Sequence, residues 1–400
     1  MALVSIFIIS LAATKMGLLL TSNTSWATGS AVTIAVVLMI AYDQRFAIGM
    51  SIFYCVLASF VPSTETDINL LLTMMTGAVV CCYSLKEIRT RMKLLEVGAI
   101  AAAAVFVMAM ALSFWSKKPQ TAKVFYDAGW NAAAAFIGGL LIQSFLPLIE
   151  KTFRIATSMT LLDYSDANTP LLKRLAMEAP GTYSHSLLVG SVAEAAADSI
   201  GRNGLLCRVG AYYHDIGKIN KPEYFIENEI GPTNRHKELS PMMSQLIIIG
   251  HVKDGIEMAK EYGLPAVLRQ FIETHHGTAL VEYFYHEAKK KYDEDLHEPL
   301  ESEFRHVGPK PWTKEAAIVM LADSVEGAVR SLSEITPPRI ETIVHNMAMK
   351  RLQDGQFDEC DLSLKELSQI EASISKTLAA HYHGRIAYPT PLDTAAAEQN

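Results

Sequence analysis

The stretch LEVGAIAAAAVFVMAMALSFW, Leu95–Trp115, decides what kind of fold this 400-residue chain adopts. Its one ionisable residue is Glu96, at the edge of an otherwise apolar run. A helix of about 20 such residues crosses the hydrocarbon of a bilayer, whereas a buried helix of a soluble protein keeps a polar face. Outward from it, comparable runs lie at Ala2–Leu20, Ser30–Tyr42, Phe46–Val61, Ile68–Tyr83 and Trp130–Ile149. Leu95–Trp115 and Trp130–Ile149 have full spanning length, and the middle runs are shorter but alike in character. Alanine crowding at Ala101–Ala104 and Ala132–Ala135 suits close helix packing in lipid. Residues 1–149 are therefore expected to form a multispan transmembrane bundle of about six helices.

Loop charge orients such a bundle. Lys86, Arg89, Arg91 and Lys93 fall between two spans and mark that loop as cytoplasmic, while Thr64–Asp67 carries no positive charge and is expected outside. Six spans then put both ends of the bundle inside, with Lys151 and Arg154 at the exit. Lys117, Lys118 and Lys123 fall on the opposite side in this scheme, so a count differing by one is also compatible. Lys15, within the first run, reads as a lysine snorkelling to an interface. Apolar residues begin at Ala2 with no basic stretch and no small-residue cleavage site, so no signal peptide is expected.

Charge divides the chain after the last run. Up to Ile149 there are nine Lys and Arg against six Asp and Glu, net +3; the remainder has 26 against 36, net −10, and holds all twelve histidines. That acidic balance argues against a nucleic acid polymer as partner, since phosphate binding needs a basic surface. The five cysteines, Cys55, Cys81, Cys82, Cys207 and Cys360, share no repeating spacing, which excludes a disulfide framework or zinc ribbon and fits a reducing compartment. Residues 150–168 read as a connector, and Thr169-Pro170 opens a helix. Beyond Pro170 the chain has helical period, with stops at Gly201, Gly217, Gly263 and Gly277 and few strand signals. Residues 169–392 are thus expected to be an all-helical domain and 393–400 a flexible tail.

Several imidazoles and carboxylates fall on the inward faces of these helices. His185 shares a stripe with Leu188, Val192 and Ala195; His214 follows Leu206, Val209 and Gly210, with Asp215 beside it. His275 extends Leu268, Phe271 and Ile272, with His276 next to it, and Asp323 continues Ala316, Val319 and Met320. A carboxylate on an apolar face is costly unless it is paired or binds a metal. Ligands without thiolate favour iron, manganese or zinc. Two metals about 3.5–4 Å apart can hold a bridging hydroxide and clamp a phosphoryl displacement, so the chemistry expected is phosphoester hydrolysis.

HDIGK at His214–Lys218, with an upstream His and a later Asp, resembles the HD-domain metal-dependent phosphohydrolases. APGTYSHS (Ala179–Ser186), KPEYFIEN (Lys221–Asn228), ETHHGT (Glu273–Thr278), GPKPWTKEAAIVMLADSVE (Gly308–Glu326) and DGQFDECDLSLKEL (Asp354–Leu367) narrow the resemblance to PgpH-type seven-transmembrane HD phosphodiesterases. It covers Phe153 to Pro389, and the multispan region is consistent with it. The resemblance implies hydrolysis of cyclic di-AMP to pApA at a binuclear site of iron or manganese, in a bacterial cytoplasmic membrane with the HD domain inside. Carried over by motif, His185, His214, Asp215 and Asp323 would hold one metal. Asp215 as bridge, His251, His275 and His276 would hold the second. Lys218 would contact the scissile phosphate, and His236 could approach the substrate. A homodimer is left open.

The chain departs from the family pattern in three places. It has TYSHS where many relatives read TYHHS, NRHKELSP at Asn234–Pro241 for NPHDKLSP, and FRHVGPKPW for FRYPGPKPQ. The family's large extracellular domain is also absent from the sequence, so a fragment or a receptor-less variant is expected. His286, His297, His306 and His345 sit among polar residues and read as solvated; His381 and His383 read as packing residues. Other readings stay open on the residues alone. One is an HD enzyme for another nucleotide, such as cyclic di-GMP or (p)ppGpp, although HHGTALVEYF lacks a GYP element after the HH pair. Another is a membrane receptor whose HD fold only binds a ligand.

Overall fold

The computed structural model describes residues 2–62, 67–85, 90–115, 121–153, 155–229, 235–292, 298–332 and 334–383. Lys86, Arg89, Lys117, Lys118, Arg154, Asn234, His297 and the tail 393–400 lie outside them. The chain falls into two compact units, Met1–Asp163 and Tyr164–Asn400. Among the described residues there is no strand, only an isolated bridge between Leu280 and Arg305. The protein is all-α.

The first unit holds α1 (Ala2–Thr21), α2 (Ser25–Ala41), α3 (Gln44–Ser59), α4 (Ile68–Ser84), α5 (Arg91–Trp115) and α6 (Thr121–Phe153). Leu3–Thr21, Met92–Trp115 and Ala122–Phe153 are long and apolar enough to cross a membrane; α2, α3 and α4 are shorter apolar helices. Their outer faces expose Leu19, Leu20, Val107, Ile137 and Phe145 while Val32, Ala35, Met74 and Val105 are buried inside. Helices apolar all round are what a bilayer requires. Small residues bring the axes together: a Cβ on Gly138 of α6 would meet the Gly29 carbonyl oxygen of α2 at 2.6 Å. The few polar groups find partners within the bundle. Thr28 Oγ1 donates to Asn131 Oδ1 at 2.6 Å, and the Tyr54 hydroxyl lies 3.0 Å from both Ser10 and Ser30 Oγ. Lys15 Nζ donates to the Val61 carbonyl at 3.0 Å, just past the end of α3, as a lysine at a helix terminus can.

Helix α6 runs well past the apolar run that announced it, from Thr121 through Pro147 to Phe153. Its last turns hold the start of the connector. Thr157 N–H donates to Glu150 Oε1 at 2.7 Å and Thr160 Oγ1 to the same oxygen at 2.8 Å, fixing the first turn of α7 (Ser158–Tyr164).

The second unit contains α8 (Pro170–Glu178), α9 (Pro180–Ser199), α10 (Gly204–Tyr213), α11 (Pro241–Glu261), α12 (Ala266–Thr274), α13 (Glu282–Lys290), α14 (Lys314–Arg330), α15 (Pro337–Gln353) and α16 (Leu364–His383). Proline opens α8, α9, α11 and α15, where its missing N–H costs nothing. Its core is built from Val189, Val192, Phe271, Val319, Val344 and Ile374, on α9, α12, α14, α15 and α16. Burying each such side chain contributes about 1.5–3 kcal/mol. Three of the four expected glycine stops, Gly201, Gly263 and Gly277, have positive φ just beyond a helix. Gly217 is different and belongs to the site.

Candidate metal centre

Five chain segments converge on one point. His185 sits in the second turn of α9. Helix α10, capped at its start by Asn203 Oδ1, which accepts from Leu206 N–H at 3.0 Å, ends at His214, and Asp215 is the next residue. The 3-10 helix Ile216–Asn220 then carries Lys218. Helix α11, capped by Ser240, whose Oγ accepts from Met243 N–H at 3.2 Å, delivers His251. His275 caps the end of α12, with His276 next. Helix α14, capped by Thr313, presents Asp323. Gly217 makes the convergence feasible: a Cβ there would stand 1.8 Å from the His251 carbonyl oxygen. Only glycine lets the 3-10 helix lie against α11.

The polar atoms gather into two groups whose possible ligand atoms lie within 4.8 Å of one another: His185, His214, Asp215 and Asp323; and Asp215, His251, His275 and His276. Asp215 belongs to both, one oxygen to each. Its Oδ2 lies 3.1 Å from His214 Nε2 and 3.8 Å from His185 Nε2. Its Oδ1 lies 3.3 Å from His251 Nε2 and 3.4 Å from His275 Nε2. Asp323 Oδ1 is 3.0 Å from His185 Nε2 and 3.6 Å from His214 Nε2, and its Oδ2 is 4.0 Å from His276 Nδ1.

The tautomers suit a cation. His214 Nδ1 meets the Ala211 carbonyl at 2.6 Å, His275 Nδ1 the Ile272 carbonyl at 3.0 Å, and His251 Nδ1 the Ile248 carbonyl. A carbonyl only accepts, so each Nδ1 carries a proton and each Nε2 faces the centre, where it offers a lone pair to a cation once it holds no proton of its own. His251 and His275 then oppose two lone pairs across 3.1 Å, an arrangement that repels unless a cation or proton lies between them. His214 Nε2 and Asp215 Oδ1 are shut from solvent and make no hydrogen bond. Orienting Nδ1–H through a backbone or carboxylate acceptor is what metal-binding imidazoles need. The residues fit divalent cations.

Electrostatics point the same way. Burial alone would raise Asp215, but the charges of His214 and Lys218 win and hold its carboxyl well below the usual range. At Asp323 burial likewise opposes, and the hydrogen bond from His185 together with the charge of His214 outweighs it and holds the carboxyl well below its usual range. Burial would lower His214; Asp215 and Asp323 push it up to about 10, so without metal a proton sits where positive charge is wanted. Burial and neighbouring imidazoles hold His276 well below its ordinary value. Lys218 Nζ pairs with Asp215 Oδ2 at 2.7 Å and Glu227 Oε1 at 2.8 Å; despite burial, these carboxylates raise it.

The structure thus brings seven sequence-picked residues and Lys218 to one place. His236 is not among them: its Nε2 is 2.8 Å from the Tyr224 carbonyl, with its ring beside Phe284. Sequence reasoning missed three residues. Glu326 Oε2 accepts from His185 Nδ1 at 2.5 Å and plays the part that backbone carbonyls play for the other imidazoles; its signal was its place three residues after Asp323 on α14. Glu227, inside KPEYFIEN, holds Lys218. His306, expected in solvent, is buried with its ring 4.3 Å from that of His276; beside the Leu280–Arg305 bridge, His306 N–H donates to Ala279 O at 3.0 Å and ties its segment inward. His381 also differs from expectation: it is exposed on the last turn of α16 rather than packed.

Comparison with known proteins agrees with this picture. Residues 182–328 match the family model described as HD domain, and residues 1–157 match that of the 7TM receptor with intracellular HD hydrolase. The chain is 48% identical over 259 residues to the cyclic-di-AMP phosphodiesterase PgpH of Bacillus subtilis (strain 168). It is 44% identical over 263 residues to that of Listeria monocytogenes serotype 1/2a (strain 10403S). Each match takes in 65% of this chain, which spans 36% of either relative's length. The crystal structure of the L. monocytogenes PgpH HD domain is 46% identical, with a TM-score of 0.51, covering 54% of this chain and 100% of that one. A second structure of that domain, in complex with cyclic-di-AMP, is 47% identical over 55% of this chain. Matched by both models in succession and along the whole of the solved domain, the chain belongs to the PgpH-type family of membrane-embedded HD-domain proteins.

Proposed function

We propose that this protein is a membrane-anchored, metal-dependent phosphodiesterase that hydrolyses cyclic di-AMP to pApA. The observation that carries the reading is Asp215, with one oxygen facing each of two imidazole groups. His185, His214 and Asp323 would hold one divalent ion with it, and His251, His275 and His276 the other, iron or manganese by donor type. Two such ions supply the Lewis acidity that makes water nucleophilic at neutral pH and draws charge from the phosphate. The chain's own groups do the rest. Glu326 keeps the His185 ring in place, Lys218 presents a fixed ammonium to the developing negative charge, and Glu227 holds that ammonium in position. Exposure of Asp323, Lys218 and His276 at 12%, 12% and 23% leaves an opening at this side, while the remaining ligands are shut in. No step is assigned to His236. The positive charge at Lys93 and Lys151 favours a cytoplasmic HD domain, in the inner membrane of a bacterium.

The test uses the full chain in detergent, loaded with Mn²⁺, given cyclic di-AMP and cyclic di-GMP separately, with products resolved by chromatography. The expected result is pApA from the first, abolished by chelation, and much slower turnover of the second. Equal rates would remove the substrate assignment. No turnover by the metal-loaded chain would favour a receptor that only binds.

A further inference from the structure

Where water is absent, a hydroxyl that has given away its proton still carries lone pairs that can accept, and several such oxygens meet in one cavity of the membrane bundle. Helices α1 and α6 both pack on α2. Between them lies a cavity of about 550 Å³, within the size range of small-molecule sites, which form between the helices of bundles. Its floor is α2 at Gly29, Ser30 and Thr33, recessed because neither Gly29 nor Gly138 of α6 carries a side chain. Ile137 and Leu141 of α6, 51% and 48% exposed, form the lip, so the cavity opens sideways toward lipid. One end is at Thr21 and Trp26, where the chain leaves α1 and enters α2. The other is at Ser10, roughly 16 Å back along α1 and so about halfway through a hydrocarbon layer of about 30 Å.

The protons at the inner end are spent. Thr14 Oγ1 donates to the Ser10 carbonyl, Ser30 Oγ to the Ala27 carbonyl and Thr33 Oγ1 to the Gly29 carbonyl, each at 2.9 Å. The Tyr54 hydroxyl, 3.0 Å from both Ser10 and Ser30 Oγ, has one proton, which Ser30 accepts; Ser10 then supplies the proton of the other link. The inner wall therefore offers acceptors only. Ser10 and Ser30 are already engaged by Tyr54 and Thr14 is buried, which leaves Thr33 Oγ1, half-buried on the floor, as the acceptor within reach of a ligand. At the outer end the Trp26 indole is committed too, its Nε1 donating to Thr21 Oγ1 at 2.9 Å. Among the described residues that line the cavity there is no Asp, Glu, His, Lys or Arg. An anionic head group, which basic residues between spans would hold, finds no counter-charge here. Uncharged acceptors facing lipid call for a lipophilic molecule with a neutral donor.

We propose that this cavity binds an uncharged lipid alcohol, its hydroxyl donating to Thr33 Oγ1 and its chain leaving over Ile137 and Leu141. The test uses the full chain in nanodiscs of zwitterionic phospholipid. The probes are hexadecanol with a diazirine in its chain and hexadecyl sulfate with the same group, a permanently anionic comparison, and labelled peptides are identified by mass spectrometry. The alcohol is expected to label the segments around Ser30 and Leu141 saturably, with the sulfate at least tenfold weaker. Thr33→Val keeps the shape and removes the acceptor, and should raise the half-saturating concentration about threefold or more. Ala13→Trp, which fills the cavity from the exposed face of α1, should abolish saturable labelling. Labelling of the parent that does not saturate, or that spreads evenly over the six helices, would show ordinary wetting by the bilayer and overturn the proposal. Equal labelling by alcohol and sulfate, or an unchanged half-saturating concentration in Thr33→Val, would overturn it as well.

Discussion

At the scale of single residues, the site depends on groups that touch no metal-facing atom. Glu326 is the clearest case. Removing its charge while keeping its shape should loosen the His185 ring, and loss of such an orienting partner typically costs 10–100-fold in metal affinity or activity. Glu326→Gln is therefore expected to weaken Mn²⁺ binding by about that factor, measured by competition with a fluorescent chelator; unchanged affinity would show that His185 needs no carboxylate. His306 gives a pH signature in the metal-free chain. Burial and the imidazoles of His251 and His275 lower it from 6.5 to about 3. The unfolded chain takes up this proton near 6.5 and the folded chain only near 3. The stability concerned is present above 6.5 and is lost as pH falls toward 3, at up to about 1.4 kcal/mol per pH unit. His306→Gln should flatten the fall in thermal stability between pH 6.5 and 4.5, and parallel curves would contradict this. The His and Asp residues on apolar stripes were legible because burying a carboxylate needs a reason. His306 was not, since its burial depends on a contact with Ala279, distant in sequence, that no local pattern encodes.

At the scale of elements, each site residue is placed by a helix end or by a close approach. The His214–Asp215 and His275–His276 pairs both sit at helix C-termini, where the chain turns and two consecutive side chains can face one centre. Sequence punctuation located those ends, and Thr169-Pro170 located the start of α8; the prolines that open α9, α11 and α15 were not read as starts. What punctuation could not tell was why Gly217 is glycine. It reads as a helix stop, like Gly201 and Gly263, yet its φ is not positive and its role is the 1.8 Å approach to His251 O. Gly217→Ala should push the 3-10 helix off α11, separating Asp215 from His251. The expected result is reduced metal occupancy and a lower melting temperature, with far-UV helical signal largely kept. Full occupancy at an unchanged melting temperature would show that the two segments have room to spare.

At the scale of the whole molecule, one chain is built for two solvents. Apolar helices with buried Val32 and Met74 and exposed Leu20 and Val107 need lipid, whereas α8 to α16 enclose a conventional core around Val192 and Val319. The division was legible from charge, because nine basic and six acidic residues before Glu150 cannot cover a soluble surface. The boundary was less so: α6 continues to Phe153 and its Glu150 starts the connector, so apolar composition ends before the helix does. Orientation has a direct check in intact bacterial cells, on a background lacking native cysteines. Met92→Cys, near the basic loop, should resist an impermeant maleimide, and Ile68→Cys should react; both side chains are well exposed, at 69% and 66%. The reverse pattern would turn the bundle over.

The central claim is that Asp215 joins two divalent cations, and metal content tests it most directly. The purified full chain, loaded with Mn²⁺ and freed of excess, is analysed by inductively coupled plasma mass spectrometry alongside Asp215→Ala and His185→Ala. The account expects two ions per parent chain, close to one after His185→Ala, and none held by Asp215→Ala. One ion in the parent, or two retained without the Asp215 carboxylate, would contradict it.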